Sequence, residues 1–233
     1  MLINQAMVLA AGLGKRLRPL TLSTPKPLLS IAGKPIIAYV LERLQHHGVS
    51  RVVVNTHYLA NQLEDYLKTF PGIDITIAHE TELLETGGGV FQVLPYFQGR
   101  PFFVINADTW WQEAETSLLQ RLESCWKGEN MDALLAIAPK SQGIEFPGAG
   151  DYYMEENGHL RFRASQSQAP YVFIGARILH PRLFAGITPG FFTQPTLFHQ
   201  AEAKQRLHGV IHAHKWCDIG SLNAYQALKE YLK

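Results

Sequence analysis

LAAGLGKRLRPLTLSTPKP, residues Leu9 to Pro27, is the stretch on which the reading of this chain turns. The apolar residues Ala6 to Ala11 have the length and bounding of a buried strand. They empty into a segment holding Gly12 and Gly14 beside the cations Lys15, Arg16 and Arg18, with Lys26 between two prolines shortly after. Glycine lets backbone N–H groups approach a ligand with no Cβ in the way, and amides beside fixed cations suit a polyphosphate. Arg offers phosphate oxygens a planar fork, Lys a point charge. Two glycines and one cation alone describe a strand-to-helix turn with solvated charges. Arg16, Arg18 and Lys26 inside a Pro-punctuated loop point instead to phosphate. A P-loop is excluded because no glycine lies five residues before Gly14. The dinucleotide fingerprint fails at Leu17, where it needs glycine, and at Asn55, where it wants an acid.

Outward from this loop, apolar strands alternate with helical segments. The patterns predict strands at Ala6–Ala11, Val52–Asn55, Ile73–Ala78, Phe102–Asn106 and Ala133–Ala138. Helices are predicted at Pro35–His47, stopped by Gly48, at Asn61–Thr69, at Gly88–Leu94 behind Thr86 as cap, and at Glu115–Trp126. This rhythm gives an α/β fold, a mostly parallel sheet with helices on both faces and ligands beyond the carboxyl ends of the strands. The second half changes character. Tyr152–Glu155 and Leu160–Arg163 flank a hairpin turn, Val172–Ile178 reads as a strand, and helices follow near Gln194–Arg206 and Leu222–Leu232. No repeat or low-complexity linker interrupts the chain, so residues 1–233 read as one domain.

The net charge of +1 leaves no polyelectrolyte surface for nucleic acid, so the basic loop is a local device. At 46% hydrophobic and 18% charged residues, the composition suits an ordinary globule. No apolar run reaches the ~20 residues of a membrane span, and the N-terminus lacks the charged region of a signal peptide. Cys125 and Cys217 make no disulfide framework. The expectation is a cytoplasmic enzyme-sized domain with no membrane partner.

Asp108 closes the apolar run Phe102–Asn106, which should bring its carboxylate to the rim where ligands bind. Asp218 lies far away in Trp216-Cys217-Asp218-Ile219-Gly220, just before the last helix. Two carboxylates converging on one Mg²⁺ would hold a metal that also takes phosphate oxygens, whereas each alone is a plain turn or N-cap residue. His208, His212 and His214 tempt a zinc assignment, but a solvated strand face from Val210 to His214 explains them more simply. Cys217 reads as a small buried residue.

The matches Ala10-Ala11-Gly12, Gly14, Arg16, Arg18-Pro19-Leu20-Thr21 and Pro25-Lys26-Pro27, with Glu85-Thr86-Gly87-Gly88-Gly89, Asn106-Ala107-Asp108 and Trp216–Gly220, resemble the sugar-1-phosphate nucleotidyltransferases over nearly the whole chain. Within that family the segment before the triple glycine and the compact second half look most like the N-acetylmuramate-1-phosphate uridylyltransferases. Departures are Leu83-Leu84 where Pro-Leu is usual and Ala107 where Gly is usual.

The resemblance implies a Rossmann-like, three-layer fold with a small α+β sugar-binding elaboration, split into a nucleotide-binding half (about 1–110) and a sugar-binding half (about 111–233). It implies nucleotide contacts from Ala10, Ala11, Gly12, Leu13, Gly14, Lys15, Arg16 and Lys26, and from a second glycine loop, Glu85, Thr86, Gly87 and Gly88. Arg16, Lys26 and Asp108 are implied as catalytic, and Asp108 and Asp218 as ligands of Mg²⁺. Asn106, Gly150, Asp151, Phe173 and Gly175 are implied for the sugar, while Arg161, Arg163 and Arg177 remain alternatives for a lactyl carboxylate. The implied substrates are UTP and N-acetylmuramic acid 1-phosphate. A mannose-1-phosphate guanylyltransferase, a glucose-1-phosphate thymidylyltransferase and an inactive sugar-nucleotide-sensing subunit are the alternatives.

Overall fold

The computed structural model describes residues 2–233. In its first half the chain runs through β1 (Gln5–Leu9), the hairpin β2 (Ser30–Ile31) and β3 (Lys34–Pro35), α1 (Ile36–His47), β4 (Arg51–Thr56), α2 (Ala60–Lys68), β5 (Asp74–His79), α3 (Glu85–Val93) and β6 (Phe102–Asn106). The second half adds β7 (Thr109–Trp111), α4 (Leu118–Cys125), β8 (Ala133–Pro139), β9 (Tyr152–Met154), β10 (Leu160–Phe162), β11 (Tyr171–Leu179), α5 (Gln194–Ala203), β12 (Leu207–Ile211), β13 (Trp216–Asp218) and α6 (Leu222–Tyr231).

Nine strands form one sheet, with β10-β9-β11-β6-β1-β4-β5 in order and β8 and β12 joined at β11. The pairs β1–β4, β1–β6, β4–β5 and β8–β12 are parallel, and β11 runs antiparallel to β6, β8 and β9. The sheet is therefore mixed but mostly parallel, since β11 and β10 alone oppose the common direction. Alternation along the strands sorts the core into two layers. Ala6 and Val8 pack with Ile37, Val40, Leu41 and Leu44 of α1 and with α2 and α4. Met7, Val53 and Val104 face α3 and α5 on the other side.

Local signals account for the helix ends. Gly48 adopts φ +92° and sends its N–H back to the Leu44 and Gln45 carbonyls, closing α1. Ser117 and Gln120 form a reciprocal capping box, so α4 starts at Leu118 rather than at the expected Glu115. β1 ends at Leu9, not Ala11, because the Ala10 N–H leaves the ladder and donates to Asn55 Oδ1 at 2.7 Å. The histidine expectation also needs correction. β12 stops at Ile211, and His212 is fully buried with Nδ1 against Arg121 Nη2 at 2.9 Å. Burial and the nearby Arg121 charge push its pKa down to about 4.

Sequence patterning did not disclose the β7–β13 ribbon. It pairs Trp111 with Trp216, Trp110 with Cys217, and Thr109 with Asp218. A third apolar cluster beneath it joins Leu17 of the basic loop to Ile31, Ile36, Trp110, Cys217 and Leu228 of α6. The loop is thus anchored on the last helix of the chain.

Candidate active site

A cleft of about 390 Å³ opens at the carboxyl ends of the parallel strands. Leu9 at the end of β1 and Ala10 just after it, Asn55 of β4, Glu80 after β5 and Asn106 of β6 reach it from successive strands. Ala11, Gly12, Leu13 and Lys15 form one wall, with Lys26 and Asp108 at one end. A Cβ at Gly12 would meet nothing within 4 Å, so this glycine faces open space. Gly14 differs. Its φ is +61°, and a Cβ there would fall 2.9 Å from Thr21 Cγ2 and 3.2 Å from Lys26 Cβ. Thr21 Oγ1 donates to the Gly14 carbonyl at 2.8 Å, and Tyr58 Oη to the Thr21 carbonyl at 2.8 Å, which pins the loop to the body. Only single 3-10 turns (Lys15–Leu17, Leu20–Leu22 and Lys26–Leu28) follow, and α1 begins only at Ile36. Loop amides and cations, not a helix terminus, therefore supply the positive field.

Lys26 is buried and ion-paired with Asp108 Oδ2. The Ile219 N–H donates to the Asp108 carbonyl at 2.9 Å, and the β7–β13 ribbon carries Asp218 to the same rim. Loss of water around Asp218 and the neighbouring Asp108 charge push the Asp218 carboxyl above the usual range, against Lys26 and Arg16. A Cβ at Gly220 would lie 2.8 Å from Arg16 Nη2 and 3.0 Å from Asp218 Oδ2, so guanidinium and carboxylate meet over this glycine. Arg16 is exposed on the Asp218 side, and Lys15 is the loop cation that lines the cleft. Cys217, paired with Trp110 across the ribbon, is fully buried, its thiol pushed up to about 12 mainly by burial. It is a packing residue.

Glu85, Thr86, Gly87 and Gly88 are not a loop. They form the first turn of α3, whose N-cap is Leu84, and Thr86 caps nothing on its own helix. Its hydroxyl instead accepts from Gln194 N at 3.1 Å. Glu85 and Thr86 line the cleft, but Gly87 and Gly88 face away from it. A Cβ on Gly87 would stand 2.4 Å from the Phe192 ring, and one on Gly88 2.2 Å from the Gly190 carbonyl. These glycines let α3 lie against the 190–192 segment. The third, Gly89, makes room for a pair that sequence reasoning missed. Asn55 Nδ2 donates to Glu80 Oε1 at 2.7 Å, and Glu80 Oε2 accepts from Leu84 N at 3.0 Å. A Cβ at Gly89 would be 2.7 Å from Glu80 Oε1. An amide at the end of an apolar strand was the available signal for Asn55. Nothing in the local sequence marks Glu80.

The residues expected at the sugar are spread out. Asn106 lines the cleft. Gly175 has φ +83° at the bend of β11, where a Cβ would crowd Asn106 Nδ2 and Thr109 Cβ at 3.2 Å. Asp151 Oδ2 accepts from Phe173 N at 2.9 Å and is raised by burial, while Gly150 takes φ +86° beside the Ala169 carbonyl. Gly150, Asp151 and Phe173 thus build the second half and are not among the residues lining the cleft. Arg161 lies over the Tyr153 ring, and Arg163 bonds the Gly150 and Gln166 carbonyls. Arg177 is buried, its guanidinium pulled down to about 9 by desolvation with Asp108 opposing.

Residues 5–146 match the family model described as nucleotidyl transferase, and the chain belongs to that family. It is 35% identical over 232 residues to an N-acetylmuramate alpha-1-phosphate uridylyltransferase of Caulobacter vibrioides, covering 97% of this chain and 96% of that protein. A protein of the same name from Neisseria meningitidis serogroup B is 35% identical over 225 residues, 94% of each. The inositol-1-phosphate CTP transferase structure from T. maritima superposes with a TM-score of 0.80 at 18% identity, covering all of this chain and 97% of that one, which shows the shared fold. No described helix is long and apolar enough to cross a membrane.

Proposed function

We propose that this enzyme joins UTP and N-acetylmuramic acid 1-phosphate to give the UDP-sugar and pyrophosphate. The observation that carries the chemistry is the clustering of Asp218 and Arg16 beside the Lys26–Asp108 pair that lines the cleft. The substrate pair rests on likeness to the two uridylyltransferases, which extends over nearly the full chain.

An oxygen of the sugar 1-phosphate attacks the α-phosphorus of UTP. A P–O bond forms there as the bond to the β-phosphate oxygen breaks, and pyrophosphate leaves with the electron pair. The nucleophile is already anionic at neutral pH, so no general base is needed. Catalysis reduces to positioning and charge neutralisation. Lys26, desolvated at the cleft end, offsets charge at the α-phosphate, while Arg16 and the amides of Leu13 to Lys15 hold the pyrophosphate.

The carboxylates fit a divalent cation such as Mg²⁺. Asp108 is close enough for its charge to raise the Asp218 carboxyl. Among the described residues no third His, Cys, Asp or Glu joins them, and Mg²⁺ favours such sites, with one or two carboxylates and the rest water and phosphate. When bound, the cation would neutralise phosphoryl oxygens and align the reacting groups.

Pyrophosphate release across a panel of nucleotides and sugar 1-phosphates tests the assignment. The expected kcat/KM favours UTP with the muramyl phosphate at least ~10-fold over UTP with N-acetylglucosamine 1-phosphate, about 1.4 kcal/mol. Efficient use of GTP with mannose 1-phosphate, and none of the uridyl pair, would reassign the enzyme.

A further inference from the structure

Arg177 sits where an arginine is costly. Its neighbours across the sheet are Val104 on β6 and Leu135 on β8, and only 1% of its surface is exposed. Its Nη1 donates to Asn106 Oδ1 at 2.9 Å and to the Gly175 carbonyl at 3.1 Å, while the buried Nε has no partner.

A guanidinium has donors only, so the Asn106 atom facing it must be the oxygen. The amide nitrogen then lies on the other side, over Gly175, where a side chain would come within 3.2 Å of it. Asn106 also lines the cleft, two residues before Asp108. We propose that Arg177 is a positioning residue that locks the Asn106 amide so that Nδ2 is presented to the cleft as a donor to a substrate oxygen, hydroxyl or phosphoryl. Without Arg177 the amide has two nearly isosteric orientations, one of which turns an acceptor toward an oxygen-rich substrate. The bend at Gly175 belongs to the same device, because its carbonyl takes the second bond of Nη1 and its missing Cβ leaves room for Nδ2. The inference rests on the cleft being the substrate site proposed above.

Two measurements test it on the full chain. In the first, the side-chain amide signals of Asn106, identified by their loss in Asn106→Ala, are followed by ¹⁵N–¹H NMR without substrate. They should move in Arg177→Met and return toward the wild-type position in Arg177→Lys, which keeps a cationic donor. Signals indifferent to both substitutions overturn the proposal. The second is a kinetic cycle. Arg177→Met should lower kcat/KM by about 10- to 100-fold, as loss of an orienting partner does at comparable sites. On the Asn106→Ala background it should add no more than about twofold, since the two act as one unit. Equal losses on both backgrounds, or a fall in melting temperature with unchanged kinetics, would make Arg177 structural only. If Arg177→Met does not fold, Arg177→Gln, which is polar but removes the cationic donor, takes its place: the Asn106 signals should move in it, and unmoved signals overturn the proposal. A wild-type enzyme inert to UTP and the muramyl phosphate would count against the proposed substrates, and the NMR result, which needs no substrate, would still decide the role of Arg177.

Discussion

The two halves of the sheet reach the cleft in different ways. On the β5-β4-β1-β6 side, parallel strands end at one level, and each delivers a residue to the rim by the same geometry: Ala10, Asn55, Glu80 and Asn106. On the other side β11 bends at Gly175 and the hairpin β9–β10 hangs from it, and little of that half lines the cleft. Its contributions are single and long-range. Asp218 arrives on a three-residue strand paired with β7, and Arg177 reaches Asn106 from β11 within the sheet. A repeated arrangement supplies the binding surface, whereas isolated contacts complete the charged end.

The comparison is broken most severely at the carboxylates. Asp108→Asn and Asp218→Asn should each lower turnover on the order of 10²–10³-fold or more with an unchanged circular dichroism spectrum, and a chelator should stop the wild type. Near-normal rates in both variants would mean that the distant half adds nothing to the chemistry. At the loop, Lys26→Ala should depress kcat more than KM, because the charge matters as negative charge develops, while Arg16→Ala should weaken triphosphate binding by ~1.5–3 kcal/mol. Initial-rate kinetics separate the two.

Glycines sharpen the contrast at a smaller scale. Gly88→Ala forces a methyl toward the Gly190 carbonyl and should destabilise the fold by about 1–3 kcal/mol in denaturant titration. Gly12→Ala meets no protein atom and should melt as the wild type does, its effect confined to nucleotide affinity. A further expected effect is with pH. His212 is held neutral in the fold, with its pKa lowered to about 4 from 6.5, so the unfolded chain binds the extra proton between those values. Stability is then complete above pH 6.5 and falls as pH drops toward 4, by up to about 1.4 kcal/mol per pH unit. Melting curves of His212→Gln should show a shallower decline over that window than the wild type.

What could be read in advance follows the same division. Strands β1, β4, β6 and β8 and the hairpin β9–β10 were legible because burial or alternation writes them into short local runs. The basic loop was legible because glycine, proline and cations crowd into nineteen positions from Leu9 to Pro27. The α3 glycines misled, since a run of three reads as a flexible loop until Phe192 and Gly190 are seen against it. Glu80 was invisible because its role depends on Asn55, and Arg177, named only as one of three alternatives for a carboxylate, carries no local mark of its Asn106 partner. The β7–β13 pairing could not be foreseen from three-residue segments more than a hundred positions apart.

That ribbon bears on the order in which the protein matures during synthesis. β1, β4, β5 and β6, with the whole basic loop, leave the ribosome while Trp216 to Asp218 are still to be made. Domains begin to fold as the chain emerges at ~5–20 residues per second. Lys26 and Asp108 are therefore synthesised before Asp218. A chain released early, before the codon for Asp218, would keep every strand of the main sheet and lack the second carboxylate. Asp218, and Leu228 of α6 that packs with Leu17 of the basic loop, are thus made after every strand of the main sheet.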